Sequence, residues 1–206
     1  MAIRAVFFDL GGVVVGSPLL AIAAYERDRQ IPAGFINRVV VDSAPDGAWS
    51  RLERGELTLE EFYPCFDADC AAAGRVISAR AMMARVAQGG GPRAPMIDAI
   101  RRIRARGLLT GAITNNWAAE NRPPNVLRPH FDAFIESSVV GLRKPDPRIF
   151  HLACDELRVA PHESVFLDDI GINLKAARAL GMTTIKVAEV DDALDELQEV
   201  LGFLLR

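Results

Sequence analysis

The side chains best suited to chemistry in this sequence stand at the ends of short apolar runs. Asp9 follows the first run, Thr114 and Asn115 end a second, Lys144 lies in the loop after a third, and Asp168-Asp169 end a fourth. A carboxylate can act as a nucleophile, and a group of carboxylates can bind a cation. One Thr after a strand is usually a cap and one Lys usually faces solvent, so the ordered set is more informative than its members.

If the four runs are parallel strands, up to three negative charges meet at Asp9, Asp168 and Asp169. At ~4 Å and an effective dielectric constant of about 20, each like-charged pair costs about 4 kcal/mol. Lys144 alone cannot offset this repulsion, whereas a divalent cation can. Ligation by oxygen atoms alone suits Mg²⁺, and phosphoryl transfer is the chemistry that uses such a site.

The same pattern suggests how a phosphorylated substrate would be bound. Asp9 could attack phosphorus as a covalent nucleophile, while Thr114, with Asn115 beside it, and Lys144 would bind the phosphoryl oxygens. These assignments make Asp9, Thr114 and Lys144 the predicted catalytic residues.

The elements that must position these residues follow from the hydrophobic pattern. Residues 5–8 are apolar at every position, which is typical of a strand buried on both faces of a parallel sheet. Further strands are predicted after the glycine-rich linker at 89–92, and they alternate with helices; their ranges are 108–114, 133–137, 164–167 and 183–187. We therefore expect an α/β fold in three layers, a Rossmann-like parallel sheet with helices on both faces.

Residues 16–88 carry a helical pattern without a convincing strand. We expect a helical cap, inserted after the first strand, over an α/β core formed by residues 1–15 and 89–206. The three glycines at 89–91, with residues 15–17 opposite, are predicted to be the hinge of this cap.

Composition and charge argue against nucleic acid and membrane as binding partners. The 206 residues are 50% hydrophobic and 25% charged, with a net charge of −3, which is ordinary for a globular protein. No basic run predicts nucleic-acid binding, and no apolar run is long enough to predict a membrane span. The first strand begins at once, so we expect no signal peptide, and Cys65, Cys70 and Cys154 are expected to be buried free thiols of a cytoplasmic protein.

The motifs Phe166-Leu167-Asp168-Asp169-Ile170-Gly171, Lys144-Pro145-Asp146-Pro147 and Thr114-Asn115 resemble those of the haloacid dehalogenase (HAD) superfamily. The likeness covers the chain from Phe7 to its end. It is strongest to the subgroup typified by the N-terminal phosphatase domain of soluble epoxide hydrolase, and the N-terminal domain of certain acyl-CoA dehydrogenase family members is also similar.

The resemblance implies a role for each site residue. Asp9 would be the nucleophile, and Mg²⁺ would be bound by Asp9, the backbone carbonyl of Gly11 and Asp169. Asp168 would orient either Lys144 or a water molecule of the metal. Asn173 would lie just behind these groups.

The chain departs from the family pattern at Gly11. Phosphatases of this superfamily usually carry a second Asp there, which protonates the leaving group, and such a group contributes ~10²–10⁴ in rate. The leading interpretation is a Mg²⁺-dependent phosphatase of a small phosphorylated metabolite. The alternative is a catalytically weak module that binds a phosphate ligand. A 2-haloacid dehalogenase is less favoured, because its chemistry leaves the acidic pair uncompensated beside an anionic substrate.

Overall fold

The computed structural model describes residues 2–118 and 126–206. Its centre is one parallel sheet of five strands, in the order β3-β2-β1-β4-β5. The strands are β1 (Ala5–Phe8), β2 (Leu109–Thr114), β3 (Ala133–Glu136), β4 (Ser164–Asp168) and β5 (Thr183–Lys186). The predicted strands are therefore confirmed to within one residue at either end, and β1 is the middle strand of the sheet.

Helices cover both faces of this sheet, as the predicted fold class requires. They are α6 (Ala94–Ala105), α7 (Ser137–Val140), α8 (Pro147–Leu157), α9 (Gly171–Ala179) and α10 (Val190–Leu201). Because side chains alternate along a strand, Val6 and Phe8 of β1 pack with α6 and α10, whereas Ala5 and Phe7 pack with α8 and α9. The α/β class with three layers is confirmed.

Five further helices lie between β1 and α6 in the chain. They are α1 (Pro18–Asp28), α2 (Phe35–Asp42), α3 (Ala48–Glu53), α4 (Leu59–Ala72) and α5 (Ala79–Ala87). We call this segment, residues 18–87, the helical insertion. It has its own cluster of buried side chains, in which Trp49 packs edge-on against Phe62 and Phe66.

Local sequence signals set several of these helix ends. Thr58 and Glu61 form a capping box at the start of α4. Ser17 stands at the N-cap of α1, before Pro18, but its side chain makes no capping hydrogen bond. Proline at the first position therefore marks this helix start more than the serine does.

The two chain segments that connect the helical insertion to the sheet lie side by side. Gly16 N donates to Gly90 O at 3.1 Å, and Arg93 N donates to Val14 O at 2.8 Å. A Cβ atom at Gly16 would lie 2.8 Å from the backbone of Gly90, so glycine is needed for this close approach. Among the helices of residues 2–118 and 126–206, none is both long and apolar enough to cross a membrane.

Candidate active site

Three charged side chains from separate elements meet beyond the carboxyl end of the sheet. Asp9 follows β1, Asp168 ends β4, and Lys144 lies in the loop between α7 and α8. Lys144 Nζ is 2.9 Å from Asp9 Oδ1 and 2.7 Å from Asp168 Oδ2. The ammonium group is only 1% exposed, so it bridges two carboxylates in a site that excludes most water.

The electrostatics of this site favour a charged Lys144, which offsets only part of the cost of burying the charges of Asp9 and Asp168. Burial works against the ammonium form of Lys144, but Asp9 and Asp168 outweigh it and raise the pKa of Lys144. Burial raises the pKa of Asp9 to about 7, since Lys144 offsets this effect only in part and Asp168 adds to it. A further positive charge near Asp9 would relieve this cost.

Asp168 has its hydrogen-bonding capacity filled by the protein. Besides Lys144, it accepts from the backbone N–H of Ile170 at 2.7 Å, and Asn173 Nδ2 lies 3.1 and 3.2 Å from its two oxygens. Asn173 is itself buried. Of the two alternatives for Asp168, this arrangement fits the one in which it orients Lys144.

Asp169 is different, because its buried Oδ1 atom has no hydrogen-bond partner in the described part of the chain. Burial, and then the charge of Asp168, raises the pKa of Asp169 to about 6. Gly12 has a φ of +83°, and a side chain there would overlap the Asp169 carboxylate. The backbone thus makes room for this carboxylate, while none of the described residues donates a hydrogen bond to its Oδ1.

These oxygens fit a hard divalent cation. One carboxylate oxygen from each of Asp9, Asp168 and Asp169 lies within 4.8 Å of the others. Because Asp168 is already satisfied, Asp9 and Asp169 are the two carboxylates available for a metal. An all-oxygen set that includes few protein ligands suits Mg²⁺.

Thr114 and Asn115, the two residues at the end of β2 that are predicted to bind phosphate, differ in what their side chains contact. Thr114 is buried and lines the cavity described below. Asn115 also lines it, but its side chain holds the backbone of Lys144: Lys144 N donates to Asn115 Oδ1 at 2.8 Å, and Asn115 Nδ2 donates to Lys144 O at 3.1 Å. The side chain of Asn115 therefore positions the lysine.

A cavity of about 740 Å³ lies between the sheet and the helical insertion. Gly11, Thr114 and Asn115 line it on the sheet side. Apolar side chains line much of the rest, namely Leu10, Val15, Leu59, Met83, Val86, Trp117, Val126 and Leu127, together with Tyr63 and Arg80. The space is large enough for a small organic molecule and mostly apolar.

Two residues of this site, Gly12 and Glu53, were not among the site residues predicted from the sequence. Gly12 could have been found, since the pair Gly11-Gly12 soon after Asp9 signals close approach of backbone. Glu53 gave no signal, because an acidic residue in a helical stretch usually faces solvent. In the structure Glu53 is buried and accepts hydrogen bonds from Arg143 and Asn115 of the sheet side.

Comparison with known proteins agrees with this geometry. Residues 3–181 match the family model of haloacid dehalogenase-like hydrolases. The chain is 38% identical to mouse acyl-CoA dehydrogenase family member 10 over 98% of its own length and 19% of that protein. It is 36% identical to pig bifunctional epoxide hydrolase 2 over 100% of its own length and 40% of that protein. It thus spans less than half of either relative.

A sesquiterpene phosphatase of Aspergillus oryzae is 23% identical, and the alignment covers 97% of both chains. Among solved structures, a HAD family enzyme from Bacteroides thetaiotaomicron, in complex with magnesium and inorganic phosphate, superposes with a TM-score of 0.63. That match has 22% identity and covers 90% of this chain and 94% of the other, which shows the shared fold. The sequence motifs, the parallel sheet and the family match agree, and this chain belongs to the haloacid dehalogenase-like hydrolases.

Proposed function

We propose that this protein is a Mg²⁺-dependent phosphatase that hydrolyses a phosphomonoester through a covalent intermediate on Asp9. The observation that carries the proposal is the pairing of Asp9 with buried Lys144, next to an Asp169 oxygen that has no partner in the described residues. A phosphorylated substrate would bring negative charge to this point. Lys144 and a metal are the groups that would compensate it.

Asp9, Asp169 and the backbone carbonyl of Gly11 would hold the metal. When bound, Mg²⁺ would supply positive charge that neutralises the phosphoryl group and the acids around it. Lys144 fixes one oxygen of Asp9, Oδ1, which also accepts from the N–H of Leu10 at 2.6 Å. The other oxygen, Oδ2, is then the atom oriented for attack.

The chemistry proceeds in two displacements. Asp9 Oδ2 forms a bond to phosphorus as the bond from phosphorus to the leaving oxygen breaks, and water then attacks the phosphoaspartate to release inorganic phosphate. Thr114 Oγ1 and the backbone at Asn115 would bind phosphoryl oxygens, and Lys144 would stabilise their charge. With Gly11 in place of an acid, the leaving group departs without a proton from this position.

The substrate class is suggested by the cavity. Its walls are mostly apolar, and the sheet side carries the polar groups that suit a phosphoryl group. We therefore propose a phosphomonoester whose organic part is largely apolar, and the sesquiterpene phosphatase among the relatives is in keeping with this. Residues 16–88 would act as the cap that encloses it over a core of residues 1–15 and 89–206.

A panel of prenyl, aryl and sugar monophosphates, assayed for phosphate release with Mg²⁺ and with a chelator, tests the proposal. We expect turnover that requires Mg²⁺ and is lost in Asp9→Asn, which removes the nucleophile. Activity that persists with the chelator would contradict the metal assignment. Activity that persists in Asp9→Asn would contradict the nucleophile.

Gly11 favours a second candidate, a module that binds a phosphate ligand but turns it over slowly. It predicts tight, Mg²⁺-dependent binding of a phosphate mimic such as beryllofluoride, without hydrolysis of any phosphoester in the panel. Calorimetry beside the turnover assay separates the two functions.

A further inference from the structure

Glu53 is a buried carboxylate that the proposed chemistry does not use. It ends α3 in the helical insertion, and its side chain is 9% exposed. Oε1 accepts from Trp49 Nε1 at 3.0 Å, and Oε2 accepts from Arg143 Nε at 2.6 Å. Arg143 also donates to Ser50 Oγ at 3.2 Å. The guanidinium of Arg143, in the loop before α8, is therefore bound by two residues of α3.

The segment that follows α3 packs closely against α7 at this point. Gly55, just beyond it, has a φ of +73°, and a Cβ there would overlap the backbone carbonyl of Ser138 in α7. The helical insertion therefore packs closely against α7 two residues after Glu53.

Glu53 also reaches Asn115, which donates to its Oε2 from Nδ2 at 3.3 Å. An amide has two N–H groups, and the second of them serves the carbonyl of Lys144. A carboxylate can only accept, and the Lys144 N–H can only donate. Both contacts therefore require the same orientation of the Asn115 amide, with Nδ2 facing Glu53 and the Lys144 carbonyl and Oδ1 facing the Lys144 N–H.

The chain of contacts ends at the proposed nucleophile. Asn115 holds Lys144 by its backbone N–H and carbonyl, and Lys144 Nζ contacts Asp9. Three links thus connect a side chain of the helical insertion to the reacting carboxylate. Displacing the helical insertion would remove one of the contacts that orient the Asn115 amide, the hydrogen bond to Glu53.

We propose that Glu53 is a positioning residue, through which the seated helical insertion fixes Asn115 and Lys144 and so orients Asp9. This inference rests on the phosphatase function proposed above. In this proposal, Lys144 is fully held in its position beside Asp9 when the helical insertion covers the cavity. The phosphoryl group is then attacked away from bulk water.

The experiment compares Glu53→Gln with a matched control, Asp28→Asn. Asp28 pairs with Arg85 at 2.6 Å within the helical insertion, away from Lys144. Lys144 is one of three lysines in the sequence, with Lys175 and Lys186, so its ammonium signal can be assigned by ¹⁵N NMR. We expect Glu53→Gln to shift or broaden this signal and Asp28→Asn to leave it unchanged.

Kinetics on an aryl phosphate provide the second readout. We expect Glu53→Gln to lower kcat by ~10- to 100-fold, with KM changed less than about twofold, because orientation and not binding is lost. Glu53→Asp, which keeps two acceptor oxygens where glutamine keeps one, should recover part of kcat. In an Asn115→Ala background, Glu53→Gln should have little further effect, since both act through one contact.

An unchanged Lys144 signal in Glu53→Gln would overturn the inference whether or not the protein hydrolyses phosphoesters. Equal loss of kcat in Asp28→Asn, or full additivity with Asn115→Ala, would also overturn it. A wild-type protein that turns over no phosphoester would count against the proposed function alone, and the NMR comparison would still decide the role of Glu53.

Discussion

Asp168 and Asp169 are adjacent in sequence, but their carboxylates have opposite surroundings. Asp168 is paired with Lys144 and held by Asn173, whereas Asp169 Oδ1 is buried without a partner among the described residues. A carboxylate that lacks donors is costly as a charge and favourable as a metal ligand. The difference gives each residue a distinct mutational signature.

Asp169→Asn should weaken Mg²⁺ binding at least tenfold and, in a chelator, should raise stability at about pH 7.5. The reason is that the pKa of Asp169, about 6, lies above its unfolded value. Its ionised form therefore opposes folding above that pKa. Asp168→Asn should instead cost about 3 kcal/mol of stability, because Lys144 loses a buried partner. Calorimetry and denaturant unfolding measure both; equal Mg²⁺ affinity in wild type and Asp169→Asn would contradict the assignment.

In the proposed mechanism, Gly11 would decide which leaving groups can be expelled. Without an acid at this position, the log of the rate should fall steeply as leaving-group pKa rises, and aryl or acyl phosphates should be preferred to alkyl phosphates. Gly11→Asp should flatten that slope and raise alkyl-phosphate turnover. A Cβ there would lie 3.2 Å from Pro18 Cδ, so a small shift of α1 would accommodate it.

A series of phosphoesters of graded leaving-group pKa measures this slope, and the time course of phosphoenzyme formation shows whether chemistry limits the rate. A flat slope in the wild-type enzyme, with chemistry limiting, would mean that another residue donates the proton.

At the scale of elements, the junction of Gly16 with Gly90 is the place where the helical insertion joins the sheet. Gly16→Ala should disturb it, because the added Cβ would meet the Gly90 backbone at 2.8 Å. We expect a loss of about 1–3 kcal/mol of stability and a change in how the insertion closes. Gly91→Ala is the steric control for the stability measurement, since no atom of the described residues lies within 4 Å of a Cβ there.

Structures with and without a phosphate mimic, together with hydrogen exchange of the helical insertion, check the hinge. Rotation about residues 15–17 and 89–91 is expected on binding, and it should be impaired in Gly16→Ala. An insertion that stays fixed in both structures would refute the hinge.

Much of the sheet and its polar edge could be predicted because each strand is a short, continuous signal. Asp9, Thr114 and Asp168 follow apolar runs, and parallel strands bring their carboxyl ends to one edge. The role of the Asn115 side chain and the burial of Glu53 could not be predicted in this way. The burial of Glu53 depends on how α3 packs against the loop that carries Arg143, and the role of Asn115 depends on how that loop folds against the end of β2. Hydrophobic periodicity carries no information about either contact.

At the scale of the whole molecule, two buried thiols lie in two separate cores. Cys70 belongs to the cluster of the helical insertion and Cys154 to the layer between the sheet and α8. Burial raises the pKa of Cys70 to about 12 and that of Cys154 to about 11. At about pH 8 both are thiols and not the reactive thiolates. Cys65 is half-buried, which corrects the expectation that all three are buried.

A thiol-specific reagent at about pH 8 should therefore modify Cys65 in the native protein and leave Cys70 and Cys154 unmodified. In increasing denaturant, the labelling of Cys70 reports unfolding of the helical insertion, and that of Cys154 reports unfolding of the sheet layers. Mass spectrometry of the labelled peptides gives both. Rapid native labelling of Cys70 would contradict the packing of the insertion.

The position of β1 in the middle of the sheet has a consequence for how the protein is made. β1 is synthesised before both of its partner strands, β2 and β4, and Ala5 pairs with Leu109 and Ser164. Such distant pairings close long loops and form slowly. Because the helical insertion has its own buried cluster, we expect it to fold earlier and to bring the two connecting segments together before β1 pairs with β2. Pulse-labelling hydrogen exchange during refolding should then show α4 protected before β1.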